Sequence, residues 1–182
     1  EELAELRLLQ KAHEKKLREE VGAENEGVAA LCEKLWTVAH GPNGHVSEYL
    51  TRKKIPGFYG AKTITTDEYR EFMAAHGKEL KIPSGYVNLL VPSRDIDGKL
   101  WGLQRIQPNG TKGFFSGQKT QGLFHLIGEA PAPNGWLYIC EGFATAASIH
   151  LATGVSVASG FYASNIPLVA KVWREKFPDL RI

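Results

Sequence analysis

Sulfur is scarce in this sequence. Two cysteines, Cys32 and Cys140, stand far apart in unlike surroundings, and Met73 is the single methionine of 182 residues. A disulfide scaffold is excluded, and so is a four-cysteine zinc site. Long apolar runs are missing too. None approaches the roughly 18–20 residues that span a bilayer, and the acidic, polar N-terminus is not a signal peptide. Motor and hydrolase signatures are lacking as well. No Walker-type Gly-Lys-Ser/Thr loop occurs, and Ser159-Gly160-Phe161 is not a Gly-x-Ser-x-Gly elbow. His125 and His150 are isolated and read as core or surface histidines. His40 and His45 bracket a turn, with no cysteine or acidic residue at zinc spacing, so no zinc is expected. The chain begins at Glu1 rather than Met, which reads as a piece of a longer, reduced, soluble and cytoplasmic protein.

Charge, by contrast, is plentiful and unevenly laid out. The totals, 22 Lys/Arg against 20 Asp/Glu, give a net +2 that argues against a polyanionic partner. Along the chain the balance changes sign. Residues 1–49 hold 6 basic against 10 acidic residues, residues 50–120 hold 12 against 6, and residues 121–182 hold 4 against 4. An acidic lead, a basic middle and a balanced end leave the average uninformative. Hydrophobic residues at 43% are ordinary for a globular chain long enough for one substantial domain or two small ones.

Periodicity divides the chain into three parts. Residues 3–20 predict a helix. Leu3, Leu6, Leu9 and Leu17, with Ala12 and His13, make its apolar stripe, and Lys11, Lys15, Lys16 and Arg18 interleave with Glu14, Glu19 and Glu20. A second helix is expected near 27–39, with Val28, Leu31, Leu35 and Val38 inward, before Gly41-Pro42-Asn43-Gly44. This helical segment, 1–44, is expected to pack onto the rest, because two short helices have little core of their own. Residues 45–133 form a basic, β-rich subdomain. Tyr49–Arg52 reads as a short helix there, and Thr65-Thr66-Asp67-Glu68 as the cap of another running through Met73. Val87–Val91, Leu100–Gln107 and Lys112–Phe115 are strands joined at Asp97-Gly98 and Pro108-Asn109-Gly110, an antiparallel meander.

Residues 134–182 differ in character. Trp136–Cys140 is a continuous apolar run, as in a strand buried on both faces. A helix over 143–153 closed by Gly154, a strand over Val155–Ser159 and a helix from an Asn165 cap to Phe177 follow. Asp179–Ile182 begins a third strand. The expected class is α/β (α+β overall): helices, a meander, then a partial doubly wound parallel β-α-β-α-β unit.

Two groups of residues could carry chemistry. Parallel α/β sheets bind ligands beyond the carboxyl ends of their strands, and Glu141 stands there, before Gly142 at the turn into the helix. A carboxylate so placed can ligate a metal ion or accept a proton. Equally, it can be a first-turn acid facing the helix dipole. The second group is basic: Arg52, Lys53, Lys54, Arg94, Lys99, Arg105, Lys112 and Lys119 on and around the meander. Arg105 and Lys112 are read together as a groove for phosphates. Trp101, Phe114 and Phe115 are either stacking surfaces for bases or core residues turned inward.

The stretch WLYICEGFATAASIHLATG resembles the opening of the Toprim domain of plasmid and phage primases, where a strand ends in Glu-Gly followed by Ala-Thr-Ala. VPSRDIDGKLWGLQRIQPNGTKGFFSG resembles the preceding segment of the same family and, more distantly, the basic subdomain of the bacterial replicative primase. SEYLTRKKI is similar to a segment upstream of both, so the resemblance covers about residues 45–182. It implies that Glu141 is the catalytic glutamate, acting as general base or metal ligand, and that Arg94, Arg105, Lys112 and Lys119 hold template or nucleotide. It implies Mg2+ or Mn2+ held by Glu141 with an Asp-x-Asp pair at the end of the third strand, past Ile182. Without that pair the piece alone is expected to be weak or inactive. The implied activity is RNA primer synthesis on single-stranded DNA from ribonucleoside triphosphates, with a separate or fused replicative helicase as a candidate partner and no membrane. A Toprim-type nuclease, a non-catalytic nucleic-acid-binding module and an unrelated α/β enzyme remain as alternatives.

Overall fold

The computed structural model describes residues 2–182; residue 1 and the side chains of residues 2–5, Leu3 of the expected stripe among them, lie outside the described residues. In chain order the elements are α1 (Glu2–Val38), α2 (Glu48–Lys53), β1 (Lys62–Thr65), α3 (Thr66–Ala75), β2 (Val87–Arg94), β3 (Leu100–Ile106) and β4 (Lys112–Phe114). There follow β5 (His125–Ile127), β6 (Leu137–Cys140), α4 (Phe143–Thr153), β7 (Ser156–Ser159), a 3-10 turn (Ala163–Asn165) and α5 (Ile166–Lys176). No helix among the described residues is long and apolar enough to cross a membrane.

The two expected N-terminal helices are one. Gly22 and Gly27 weaken the helix, but no proline interrupts residues 21–27, and the hydrogen-bonded ladder continues through both glycines. The helix has two unlike halves. Val28, Ala29, Cys32 and Leu35 are buried against the first sheet, whereas Leu6, Leu9, Leu17 and Val21 are exposed. Among the described residues, the leucines of the expected stripe therefore stand in solvent.

The first sheet is antiparallel, in the order β1-β2-β3-β4. The meander over β2–β4 stands where the sequence put it, because Gly98 and Gly110 supply the positive φ angles of 87° and 91° that its turns need. The edge strand β1 was not expected. It runs straight into α3, whose start is a capping box. Thr65 Oγ1 accepts from Glu68 N, and Glu68 Oε2 accepts from Thr65 N at 2.8 Å. Burial alone would raise the Glu68 carboxyl; hydrogen bonds from Thr65 and His40 outweigh it and hold the group down at about 2. One face of this sheet packs Ile64, Leu90 and Leu103 against α1 and against Tyr69 and Met73 of α3. Its other face packs Leu89, Val91 and Ile106 against Phe143, Ala146 and Ala147 of α4.

The second sheet has the order β5-β7-β6. Here the structure corrects the sequence reading. β6 and β7 are parallel, but the unexpected strand β5 joins β7 antiparallel, and the expected third parallel strand amounts to one bridge between Trp136 and Arg181. The parallel part is thus β6 and β7 with a third strand only begun at Arg181, and the antiparallel β5 is the departure from the expected order. Nor is β6 buried on both faces, since Leu137 is enclosed but Tyr138 is exposed at the sheet edge. Alternation across the sheet still places helices on both sides. Ile127 and Val157 face α4, while Leu137 and Ala158 face Val169 and Trp173 of α5.

Candidate active site

The candidate site lies at the carboxyl ends of β6 and β7. Glu141 follows β6 with its side chain exposed, and Ser159 Oγ donates to its backbone oxygen at 3.2 Å. Gly160 N donates to the Cys140 carbonyl at 2.8 Å, so the two strand ends are tied to each other. Gly142 then caps α4 with extended backbone and no side-chain acceptor. The first N–H groups of α4 therefore have no capping side chain, at the positive end of the helix dipole.

The basic sheet reaches this place through β4. Lys112 extends from the edge strand until its Nζ lies 3.3 Å from where a Cβ on Gly142 would stand. One residue from Glu141, an ammonium group and a helix N-terminus thus converge, an arrangement suited to a phosphate. Phe114 anchors the approach, its ring edge-to-face with Phe161 at 5.7 Å. Phe161 is buried with φ 71°, an unusual conformation for a bulky side chain, which the packing of the loop after β7 maintains. Tyr162 O–H and Thr120 Oγ1, 3.1 Å apart, brace the same loop.

The other basic residues go elsewhere. β3 and β4 pair Arg105 with Gly113 and Ile106 with Lys112, so Arg105 and Lys112 project from opposite faces of the sheet. The joint groove expected of them does not form. Arg105 donates to Asn88 Oδ1 at 3.3 Å and lies over the Tyr69 ring, on the α3 side. Arg94 donates to the Gly98 carbonyl at 2.8 Å and closes the β2–β3 hairpin. Lys119 stands 4.4 Å over the Trp101 ring beside Lys99, which is paired with Glu26 of α1. Trp101 is therefore covered by lysines, and Phe115 is core.

His125 and His150, expected in the core or on the surface, both bond to backbone carbonyls. His125 is buried with Nε2 at 2.7 Å from the Tyr59 carbonyl, and His150 Nδ1 lies 2.8 Å from the Val155 carbonyl. Burial pushes the Cys140 thiol up, away from thiolate chemistry. Asn165 does not cap α5 as expected. Its amide is buried and donates to the carbonyls of Leu123 and Gly160, and its oxygen accepts from Gly122 N. Sequence reasoning missed Asn165 and Ser159 as braces of the site, because neither lies in a pattern that marks a tertiary hydrogen bond.

Glu141 belongs to no group of three ligating side chains among the described residues. One carboxylate does not make a Mg2+ or Mn2+ site, so the ion implied by the resemblance does not fit these residues alone.

Neither a family model nor a solved structure matches the chain. Two proteins described as DNA primase TraC, both from Escherichia coli, are 41% and 42% identical to it over 91 residues. The match takes in 49% of this chain but 9% and 6% of those proteins, so the chain corresponds to a small part of their length. Over that stretch, about half of the chain, it is similar to a DNA primase.

Proposed function

We propose that this chain is part of the catalytic region of a Toprim-type DNA primase, binding single-stranded DNA and ribonucleoside triphosphates for metal-dependent RNA primer synthesis in replication. The observation that carries the reading is the approach of Lys112 to Gly142, the residue after Glu141, at the carboxyl end of β6, in a chain similar to DNA primase TraC. Glu141 takes the proton of the attacking 3′-hydroxyl as its oxygen bonds to the α-phosphorus and the bond to pyrophosphate breaks. Lys112 and the first N–H groups of α4 hold a phosphate of the nucleotide in place. Positioning and electrostatics dominate such a site, and contacts to phosphates carry little base selection. The Mg2+ or Mn2+ of such an enzyme would need acidic ligands beyond Glu141.

The test is primer synthesis by a polypeptide joining these residues to an Asp-x-Asp strand. Glu141→Gln is expected to lower incorporation of ribonucleotides on a single-stranded template by about 100-fold or more, the usual contribution of a general base, with DNA affinity nearly unchanged. Unaltered synthesis would overturn the assignment. Cleavage of DNA without incorporation would favour a nuclease instead.

A further inference from the structure

We propose that His40, His45 and Glu68 form a binding site for a divalent transition-metal ion, Zn2+ by preference. His40 Nε2 lies 2.9 Å from Glu68 Oε1, and His45 Nε2 lies 3.3 Å from Glu68 Oε2. The two rings meet edge-on with centroids 4.7 Å apart, and the ligand atoms of all three residues fall within 4.8 Å of one another. A tetrahedral Zn2+ with bonds of about 2.0–2.1 Å holds its ligand atoms roughly 3.3 Å apart. The two histidine–carboxylate distances are near that spacing already.

Each ligand is held in place by something other than the cluster. His40 is fixed by paired backbone bonds to Thr63, N–H to O at 2.8 Å and the reverse at 2.7 Å, which add it to the sheet beside β1. Glu68 is oriented by Thr65, whose N–H and O–H both donate to Oε2 at 2.8 Å and leave Oε1 for His40. That is the outer-shell hydrogen bonding a ligating carboxylate usually has. His45 is returned by a turn in which Gly44 N donates to the Gly41 carbonyl at 2.9 Å. A Cβ on Gly44 would fall 2.3 Å from His40 Cβ, so only glycine lets the loop close this tightly.

His45 supplies the independent sign of a ligand. Its Nε2 is buried yet has no hydrogen-bond partner, because Glu68 Oε2 lies off the direction such a bond requires. A metal ion between the rings and the carboxylate would satisfy it. Two imidazoles and a carboxylate suit Zn2+ and leave a fourth position for water. The cluster joins the end of α1, the loop before α2 and the first turn of α3, none of which contributes to the Glu141 site. Bound metal would clamp the basic sheet to its helical lead. The proposal runs against the zinc-free expectation, which sought a third ligand nearby in sequence rather than at residue 68.

The experiment is Zn2+ titration of the chelator-stripped chain against a chromogenic zinc indicator, with Co2+ substitution to read coordination from its visible absorption. One equivalent of Zn2+ should bind, Co2+ should give a four-coordinate spectrum, and saturating Zn2+ should raise Tm. His45→Ala and His40→Ala, checked for folding by circular dichroism, should each weaken binding at least tenfold and abolish the Co2+ spectrum. His13→Ala, on an exposed part of α1, should change nothing. Stoichiometry below half an equivalent, or equal affinity in the wild type and His45→Ala, would overturn the site and leave a metal-free cluster in which only His40 bonds to Glu68.

Discussion

At the scale of single residues, burial and local partners set the chemistry, and His125 shows how. Its ring is enclosed, with Nε2 against the Tyr59 carbonyl and the Phe143 ring 5.6 Å away. Burial, reinforced by the charge of Arg94, outweighs the hydrogen bonds to backbone and lowers its pKa from 6.5 to about 4. Between those values the unfolded chain binds a proton that the folded chain does not. The stability this residue contributes is therefore complete above pH 6.5 and is lost as pH falls towards 4. Urea midpoints measured across this window should fall with pH, and His125→Gln, which keeps a donor for Tyr59, should flatten the decline. An equal slope in the variant would assign the loss to other groups. The isolation of His125 in the sequence left it open as a core or a surface residue, and the structure makes it core. Its Tyr59 partner was not legible there, because the bond crosses 66 residues of chain.

At the scale of elements, turn chemistry was the most readable signal. The meander followed from Asp97-Gly98 and Asn109-Gly110, where glycine fits the required φ. The strands β1 and β5 escaped because they have four and three residues, too few to alternate visibly. The burial of β6 departs from expectation for a related reason. A continuous apolar run does not distinguish a central strand from β6, which sits beside β7 with Tyr138 exposed. In α1 the difference runs the other way, one helix standing where the periodicity predicts two. Gly27 sits where the packed half of α1 begins, and a Cβ there meets nothing within 4 Å. Gly27→Ala should stabilise the helix by about 0.5–1 kcal/mol. Amide hydrogen exchange should then slow across residues 20–30, with a modest rise in Tm. Unchanged or faster exchange would mean that α1 bends or opens at this glycine in solution.

At the scale of the whole molecule, the near-zero net charge conceals a layout that the fold sorts by face. Lys112 is carried to the end of β6, Arg105 to the α3 side, and Lys99 and Lys119 to the flank of α1. Glu141 was legible as a candidate because strand ends in parallel sheets face ligand crevices. The separation of Arg105 from Lys112 follows from register, since pairing Arg105 with Gly113 turns their neighbours to the other face. The consequence is a test of whether one groove or two surfaces meet nucleic acid. Binding of a fluorescent single-stranded oligonucleotide is measured at several salt concentrations for Lys112→Ala, Arg105→Ala and the double variant. Lys112→Ala should weaken binding and reduce the salt slope by about 0.7, one phosphate contact to a single strand. Residues on opposite faces share no partner, so the double variant should lose the sum of the single losses to within about 0.5 kcal/mol. A larger departure from additivity would bring both cations to one stretch of DNA and restore the single groove.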